Sequence, residues 1–296
     1  MQPREIRRVG VVGAGQMGAG IAQVCAQHGY DVVMSDVGRA LAETGKAGIA
    51  ARLGRLVAKG KLSAEAASAV LARISVGDLK SHHDRDLVVE AATEKPELKL
   101  GLLSQLGGVV SRDAIVASNT SSISITKLAA VVPDPARVVG LHFMNPVPLM
   151  QLVEVVVGLA SDPEVVRRVT EFAQSLEKTT IQSRDRPGFI VNRILIPFLN
   201  EACFALDEGV ADAQAIDTGA RLGLNHPLGP LALADLIGLD TVLAIAEVMH
   251  REFGDDKYRP APLLRNLVAA GWLGRKTQKG FYVYDREGRA VPNRLD

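Results

Sequence analysis

The first 180 residues alternate short apolar runs, rich in β-branched residues, with longer segments whose apolar positions recur every three or four residues. Runs such as VGVV, LVVEAA and IVAS are continuously apolar, which is typical of strands buried on both faces. This alternation predicts βαβ units and a mainly parallel sheet. The eight predicted strands span residues 8–12, 31–35, 74–76, 87–91, 114–118, 138–141, 152–157 and 179–182.

The pattern changes near residue 183, after which no further strand is predicted. Helical periodicity takes over, with Asp212 suited to cap one helix and Pro227 and Pro262 suited to helix entries. The predicted helices span residues 187–208, 212–222, 228–251 and 261–270. The sequence therefore predicts an α/β fold of two domains, a mainly parallel sheet domain over residues 1–184 and an all-helical domain over residues 185–296.

A glycine-rich turn follows the first predicted strand. Residues 8–18 read RVGVVGAGQMG, in which Gly13, Gly15 and Gly18 form G-x-G-x-x-G at a helix start. The first glycine permits the tight turn, the second lets the backbone approach a pyrophosphate, and the third lets the helix pack on the strand. Because amide groups at a helix start favour phosphate oxygens, the turn, with Gln16 and Met17, is predicted to bind a dinucleotide in a Rossmann-type domain.

An acidic residue supports this interpretation. Asp36 follows Gly18 by 18 residues, at the end of the second predicted strand, where a carboxylate can accept hydrogen bonds from the adenosine ribose hydroxyls. The same carboxylate would repel a 2′-phosphate, so NAD is favoured over NADP, although Arg39 lies nearby in the sequence. A lone G-x-G-x-x-G is a weak signal, and a structural glycine turn beside a solvated aspartate is the alternative.

Charge and composition exclude several classes of protein. The chain has 296 residues, 47% hydrophobic and 23% charged, which are ordinary values for a globular protein. Its 34 basic and 33 acidic side chains give a net charge of +1, without the basic excess of a nucleic-acid binder. The two cysteines, Cys25 and Cys203, cannot form a disulfide framework and fit a reducing cytosol. No Cys/His cluster offers metal ligands, so no metal is expected.

The chain also shows no sign of membrane insertion or secretion. No stretch approaches ~18 uninterrupted apolar residues, the length that a membrane span needs. The N-terminus passes from charged residues directly into the first predicted strand and lacks a signal peptide's cleavage site. These features predict a cytoplasmic protein with an intact N-terminus, and a trimmed precursor of an organelle protein is the alternative.

One segment departs from the overall neutrality. Residues 38–62 hold six basic side chains and one acid, Glu43, for a local charge of +5. Arg52, Arg55 and Lys59 are spaced i, i+3 and i+7, on one face of the helix predicted there. A solvated helix face is the usual explanation for such a run, but this face would also attract the phosphates of a small ligand such as coenzyme A.

Polar residues that suit catalysis follow the predicted strands in the middle of the chain. Ser121 and His142 each come after a strand, and the carboxyl ends of strands line the ligand crevice of an open α/β sheet. His142 is the natural acid or base at neutral pH. Glu154 lies in an apolar strand, where a carboxylate needs a partner that a histidine would supply. A structural histidine and a water-facing glutamate are the alternatives.

The chain resembles the short-chain 3-hydroxyacyl-CoA dehydrogenase family, of the bacterial 3-hydroxybutyryl-CoA dehydrogenase type, over residues 8–284. Six blocks carry the resemblance in this order: SNTSS, HFMNP, LVEV, PGFIVNRIL, HPLGPLALADLIGLD and GRKTQKGFY. It implies an NAD-dependent enzyme that oxidises (S)-3-hydroxyacyl-CoA, with 3-hydroxybutyryl-CoA as the expected substrate, or catalyses the reverse reduction. This is a step of fatty-acid and butanoate metabolism. The resemblance also implies a homodimer formed through the helical domain, which closes over the substrate.

The resemblance assigns roles to individual residues. His142 corresponds to the family's catalytic base and Glu154 to its partner. Ser121 and Asn192 correspond to the polar residues that hold the substrate's 3-oxygen and neighbouring groups. Further cofactor contacts of the family correspond to Glu94, Lys99, Asn119 and Lys276.

The family's coenzyme A contacts correspond to Arg52 and Lys59, with Ser121 also facing the substrate. Arg52 stands where the family has Ser, and arginine is the stronger phosphate donor. Three further departures are Met144 in place of Phe, Leu228 in place of Met and Gln278 in place of Gly. The first two would alter the shape of the pocket, so the preferred acyl chain length stays open.

Two alternative functions fit the same features. Related enzymes that oxidise a sugar acid such as L-gulonate share the fold and the His–Glu pair, and a non-catalytic NAD-binding or structural protein would share the fold. The basic segment and the HFMNP and LVEV blocks favour the CoA thioester. The presence of Ser121, His142, Glu154 and Asn192 together argues for catalysis.

Overall fold

The computed structural model describes residues 5–285 and 287–293, and the chain divides into two compact units, Met1–Arg186 and Pro187–Asp296. The sequence suggested a boundary two residues earlier. Asp185 accounts for the difference, because its carboxylate accepts hydrogen bonds from the Ser124 hydroxyl (2.7 Å) and from the backbone amides of Ile125 and Thr126 (3.0 and 2.8 Å). Residue 185 is thereby fastened to the first unit.

An eight-stranded sheet forms the centre of the first unit. Its strands are β1 (Arg8–Val12), β2 (Asp31–Ser35), β3 (Ile74–Val76), β4 (Leu87–Glu90), β5 (Ile115–Ser118), β6 (Val138–Phe143), β7 (Leu152–Val157) and β8 (Thr179–Arg184). They lie in the order β3-β2-β1-β4-β5-β6-β7-β8. Strands β1 to β6 are parallel, β7 is antiparallel to β6, and β8 is parallel to β7. The predicted mainly parallel sheet is therefore confirmed.

Helices and loops cover both faces of this sheet. Val88 and Val89 point to opposite faces of β4, yet neither has any exposed surface, as expected for continuously apolar strands. The helices of the first unit are α1 (Gln16–Gln27), α2 (Arg39–Ala58), α3 (Ala64–Ala72), α4 (Pro96–Val109), α5 (Ile125–Ala129) and α6 (Pro163–Ser175). Strand β6 extends two residues beyond the predicted 138–141, so His142 lies within the strand and not after it.

Over its described residues, the second unit consists mainly of helices, with one short hairpin. Its helices are α7 (Val191–Asp207), α8 (Ala213–Gly223), α9 (Pro230–Ile237), α10 (Leu239–Phe253) and α11 (Pro262–Ala269). Helix α7 begins four residues later than predicted because Gly188 and Phe189 have φ angles of 80° and 49°, outside the helical region. Gly238, with φ of 102°, divides the predicted helix 228–251 into α9 and α10.

The hairpin pairs β9 (Tyr282–Tyr284) with β10 (Ala290–Pro292) in antiparallel register. The all-helical prediction did not include these two strands, although the helical domain as such is confirmed. Within the part of the chain that the structure describes, none of the helices has both the length and the apolar character that crossing a membrane requires.

Candidate active site

The glycine turn after β1 has two glycines that the backbone encloses and one that is open. A Cβ at Gly13 (φ 106°) would lie 2.5 Å from the Ala91 carbonyl oxygen, and a Cβ at Gly18 would lie 1.8 Å from the Gly13 carbonyl oxygen. A Cβ at Gly15 would meet no atom within 4 Å. Packing therefore requires Gly13 and Gly18, whereas Gly15 leaves the open approach to the backbone that a pyrophosphate needs.

Helix α1 begins beside this open space. Gln16 and Met17 are its first two residues, and no side chain caps the helix start, so its first amide groups can serve phosphate oxygens. The Gln16 side-chain amide donates to Asn145 Oδ1 at 2.9 Å, and Met17 packs against the core. Sequence reasoning did not single out Asn145, whose only signal is its place in the HFMNP block.

Asp36 lies at the end of β2 and supports the glycine turn. Its Oδ2 atom accepts a hydrogen bond from the Ala14 amide at 2.7 Å. The carboxylate is partly exposed and has further lone pairs, so it can also accept hydrogen bonds from ribose hydroxyls. Arg39 lies 3.4 Å from Glu43, one turn along α2, so a neighbouring acid balances its charge. The turn, the helix start and this acid together fit NAD.

His142 and Glu154 form a buried pair on adjacent strands. They are register partners across the antiparallel strands β6 and β7, so a separation of 12 residues becomes a direct contact. The His142 Nδ1 atom lies 2.7 Å from Glu154 Oε2, Glu154 is fully buried, and only 5% of His142 is exposed. An imidazole that donates its Nδ1–H to this carboxylate presents a basic Nε2 atom on its other side.

Ser121 lies against that second ring nitrogen, with its Oγ atom 3.0 Å from His142 Nε2. Glu94 holds the loop that carries this serine. Its Oε1 atom accepts hydrogen bonds from the Ser121 amide (2.9 Å), the Ser122 amide (3.2 Å) and the Thr120 hydroxyl (2.5 Å). The predicted cofactor contact Glu94 therefore also fixes the backbone of Ser121.

Lys99 is buried, with 1% of its side chain exposed. Its Nζ atom lies 2.7 Å from Glu90 Oε1 and 3.4 Å from Glu94 Oε2, and it donates to the Ala92 carbonyl at 3.1 Å. Glu90, fully buried at the end of β4, also accepts a hydrogen bond from the Ser118 hydroxyl at 2.6 Å. Lys99 thus lies between two carboxylates, those of Glu90 and Glu94. Sequence reasoning missed Glu90, whose signal is an acid at the end of an apolar run.

Asn119 follows β5 and connects it to the strand of the histidine. Its Oδ1 atom accepts a hydrogen bond from the Phe143 amide, next to His142, at 2.9 Å. The structure therefore brings six of the predicted residues of the first unit into one connected region. They are Glu94, Lys99, Asn119, Ser121, His142 and Glu154.

Two predicted site residues lie in the second unit. Asn192 is buried in the first turn of α7. Lys276 lies in a short 3₁₀ turn, Arg275–Thr277, and its Nζ atom lies 2.5 and 2.6 Å from the two carboxylate oxygens of Asp240, which is in the first turn of α10. An acid of its own unit therefore pairs with Lys276.

The predicted phosphate contacts of α2 differ in their surroundings. Arg52 is partly buried, and it donates from Nε to Gln23 Oε1 (2.9 Å) and from Nη2 to the Ala19 carbonyl (3.3 Å), both on α1. Burial, and then the nearby Arg55, lower the pKa of the Arg52 guanidinium. Lys59 is exposed and directly follows the end of α2. Arg52 is thus largely engaged in helix packing, whereas Lys59 is open to solvent.

The described residues contain no group of three or more His, Cys, Asp or Glu side chains that could hold a metal ion. Cys25 and Cys203 are both buried, and burial raises the pKa of the Cys25 thiol to about 12. A thiol in such surroundings stays protonated and unreactive near neutral pH.

An open glycine turn, an acid at the end of β2 and a buried His–Glu pair on one sheet define an NAD-dependent oxidoreductase with a Rossmann-type domain. Comparison with known families agrees. Residues 8–186 match the profile of the "3-hydroxyacyl-CoA dehydrogenase, NAD binding domain", and residues 188–284 match that of the "3-hydroxyacyl-CoA dehydrogenase, C-terminal domain". The chain therefore belongs to the 3-hydroxyacyl-CoA dehydrogenase family, as its sequence blocks predicted.

Individual relatives match over almost their whole length. A probable 3-hydroxybutyryl-CoA dehydrogenase of Deinococcus radiodurans is 55% identical over 94% of this chain and 100% of that protein. The 3-hydroxybutyryl-CoA dehydrogenase of Bradyrhizobium diazoefficiens is 51% identical over 98% of this chain and 99% of its own. The crystal structure of (S)-3-hydroxybutyryl-CoA dehydrogenase from Ralstonia eutropha has a TM-score of 0.92 at 51% identity, covering 95% of this chain and all of that one.

Proposed function

We propose that the protein oxidises (S)-3-hydroxyacyl-CoA with NAD⁺ to 3-oxoacyl-CoA, NADH and a proton, and catalyses the reverse reduction, with 3-hydroxybutyryl-CoA as its substrate. The observation that carries this proposal is the hydrogen-bonded series Glu154–His142–Ser121 in the unit that also holds the glycine turn. The names of the similar bacterial enzymes support the short acyl chain.

His142 is the proposed general base. Because Glu154 accepts a hydrogen bond from Nδ1, Nε2 is left to take the proton of the substrate's 3-hydroxyl. Ser121 Oγ, 3.0 Å from Nε2, would hold the same oxygen in place, as would Asn192 of the second unit. Glu154 then stabilises the imidazolium. When bound, NAD⁺ accepts the hydride that leaves C3 as the carbonyl forms.

The cofactor would lie along the glycine turn and the start of α1, with Asp36 at its adenosine ribose. Glu94, Asn119 and Lys276 are proposed as further contacts, and Lys99 acts through the carboxylates that it pairs with. We propose that Lys59 attracts the phosphates of coenzyme A, and its exposure to solvent supports this role. Arg52 is proposed to do the same through the guanidinium nitrogen that does not bond α1. Because Arg52 donates two hydrogen bonds to α1, substitution of Arg52 should also loosen the packing of α2 on α1.

The test is turnover of defined substrates. Purified protein given acetoacetyl-CoA should oxidise NADH, and His142→Ala should reduce the rate by about 10²–10⁴-fold, the usual contribution of a general base. His83→Ala is the matched control, because His83 lies on the surface of the same unit. Unchanged turnover in His142→Ala would show that His142 is not the general base.

Two further substrates separate this proposal from its alternatives. Free acetoacetate tests whether the coenzyme A moiety matters, and equal rates with and without it would contradict the thioester assignment. L-gulonate tests the sugar-acid alternative. NADH binding without turnover of any hydroxyacyl-CoA would favour a non-catalytic NAD-binding protein.

The proposed assembly is a homodimer formed through the second unit, in the cytoplasm. Exposed large apolar side chains on this unit, Ile194, Leu222 and Leu224, support a partner surface there. Light scattering at micromolar concentration tests the assembly, since a monomer in both the parent and Leu222→Asp would contradict it. Cell fractionation tests the location.

A further inference from the structure

Glu90 is a fully buried acid at the end of β4 that the proposed chemistry does not use. Its Oε1 atom accepts hydrogen bonds from the Ala92 amide (2.6 Å) and the Lys99 ammonium group (2.7 Å). Its Oε2 atom accepts one from the Ser118 hydroxyl (2.6 Å). A buried carboxylate is costly unless such donors satisfy it. The three donors come from the loop after β4, from α4 and from the end of β5, so Glu90 connects three parts of the first unit.

One path leads from Glu90 to the backbone that precedes Ser121. The Glu90 carbonyl oxygen accepts a hydrogen bond from the Asn119 amide at 2.8 Å. The Ser118 hydroxyl, which donates to the Glu90 carboxylate, accepts a hydrogen bond from the Thr120 amide at 3.3 Å. Glu90 therefore constrains both residues that come directly before Ser121, the first by itself and the second through Ser118.

A second path leads from Glu90 to the same loop through two charged side chains. The Lys99 Nζ atom donates to Glu90 at 2.7 Å and lies 3.4 Å from Glu94 Oε2. The other oxygen of this carboxylate, Glu94 Oε1, accepts hydrogen bonds from the amides of Ser121 (2.9 Å) and Ser122 (3.2 Å). The loop 119–122 is thus bonded to an acid that shares its lysine partner with Glu90.

The two acids hold this lysine unequally. Glu90 is the nearer and is fully buried, whereas the side chain of Glu94 is 40% exposed. While Glu90 balances the charge of Lys99, the Glu94 carboxylate is available to the amides of the loop. If Glu90 were neutral, Glu94 would be the one carboxylate paired with the buried ammonium group, among the residues that the structure describes. An uncompensated buried charge is unfavourable, so Lys99 would draw Glu94 away from the loop.

The position of this loop decides one contact of the proposed site. The Ser121 Oγ atom lies 3.0 Å from His142 Nε2, within the same unit. A shift of the loop by about 1 Å away from the imidazole would lengthen this contact beyond hydrogen-bond range. A small displacement that begins at Glu90 would therefore be felt at His142.

We propose that Glu90 is a positioning residue for Ser121: by balancing Lys99 and bonding Ser118, it fixes the loop 119–122 so that the Ser121 hydroxyl lies against His142 Nε2. This inference rests on the role assigned to Ser121 under the proposed function. It adds to that function a residue that acts on the site through its neighbours.

The first test is a double-mutant cycle on kcat for the oxidation of (S)-3-hydroxybutyryl-CoA, with both substrates saturating so that changes in binding do not contribute. Ser121→Ala should lower kcat about tenfold, the size expected for one hydrogen bond. Glu90→Gln should lower it to a similar extent. The double variant should be no slower than Ser121→Ala alone, because both changes remove the same contact. Glu171→Gln, which removes an exposed carboxylate of the first unit, is the control and should keep the parental kcat.

The second test follows the loop without reference to activity. Hydrogen exchange of a peptide that covers residues 119–124 reports the amides of Ser121 and Ser122, which donate to Glu94. Glu90→Gln should speed this exchange about tenfold, because Glu94 is drawn away from these amides. Ser121→Ala keeps both amides and should exchange like the parent.

Other outcomes overturn the inference. A purely structural Glu90 would give Glu90→Gln a lower melting temperature with the parental kcat and parental exchange at 25 °C. Independent roles would give effects that multiply to about a hundredfold in the double variant. If Ser121→Ala turns over like the parent, the role of Ser121 fails and this inference with it, whereas the His142 assay still decides the dehydrogenase activity.

A second variant keeps the test decisive if Glu90→Gln does not fold. Glu90→Gln combined with Lys99→Met removes both charges of the buried pair, which proteins tolerate far better than the loss of one. This variant also deprives Glu94 of its lysine partner and the loop of its fixed position. It should show the tenfold lower kcat and the faster exchange, and Ser121→Ala should add nothing to it; a parental kcat would contradict the proposal.

Discussion

Replacement of Glu154 by Gln should slow the oxidation of 3-hydroxybutyryl-CoA about 10³-fold. The change keeps the size of the side chain but removes the negative charge that lies 2.7 Å from His142 Nδ1. With the centres of charge ~4 Å apart and an effective dielectric constant of ~20, the attraction between carboxylate and imidazolium is about 4 kcal/mol. That attraction exists only once His142 has taken the proton, so its loss raises the barrier and not the energy of the bound substrate.

The assay is the initial rate of NADH formation from (S)-3-hydroxybutyryl-CoA and NAD⁺, followed by absorbance. Oxidation is the informative direction, because the imidazolium is formed in it. Glu171→Gln, an exposed glutamate of α6 that pairs with Arg167, is the matched control and should keep the parental rate. Melting curves show whether both variants fold. A Glu154→Gln enzyme that folds and retains more than a fifth of the parental kcat would refute the reasoning.

Three further predictions concern the cofactor turn and the sheet beneath it. Gly15→Ala should keep the parental melting temperature while NADH affinity falls, because a Cβ at Gly15 meets no protein atom. Gly18→Ala should destabilise the first unit, because a Cβ at Gly18 would clash with the Gly13 carbonyl oxygen. Melting curves and NADH titrations distinguish the two effects. Asp36→Ala should raise the KM for NAD about tenfold and lower that for NADP, as measured by steady-state kinetics with each cofactor. Burial lowers the pKa of His82 to about 4, so the folded protein favours the neutral imidazole. The free energy of unfolding should therefore be highest above pH 6.5 and should fall by about 3 kcal/mol as the pH decreases towards 4, because the unfolded chain takes up the proton more readily. Urea unfolding of the parent and His82→Gln at pH 7 and 4.5 checks this, and equal pH dependence in the two would contradict it.

The sheet was predictable because its strands are continuously apolar, and such runs are hard to place anywhere except between two layers of helices. The hairpin of β9 and β10 was not. Its strands have three residues each, and unlike β3, which is equally short, they do not lie in a series of alternating strands and helices. The division of the predicted helix 228–251 at Gly238 was not predictable for a different reason. A single glycine is tolerated inside a helical pattern, and nothing in the sequence shows that the φ angle of Gly238 is 102°.

The same limit applies to the residues around the site. The proximity of Ser121 to His142 was predictable, because Ser121 follows β5, His142 lies near the carboxyl end of the neighbouring strand β6, and the carboxyl ends of parallel strands meet at one edge. Asn145 and the packing role of Arg52 were not. Each depends on a contact with α1, more than 25 residues away in the chain, and spacing within one element carries no information about such contacts.

Acids inside apolar runs are the most informative signal in this chain, but the signal is incomplete. Three buried acids interrupt such runs: Glu90, Glu154 and Asp235. Glu90 is bonded to a lysine and a serine, and Glu154 to a histidine. Asp235 accepts hydrogen bonds from two backbone amides and a tyrosine hydroxyl. The sequence predicts that each acid has a partner, because an unpaired buried charge is costly, but not which one. Only the imidazole can exchange a proton with a substrate near neutral pH. The fold sets His142 opposite Glu154, and for that reason we assign this one of the three acids to the proposed chemistry.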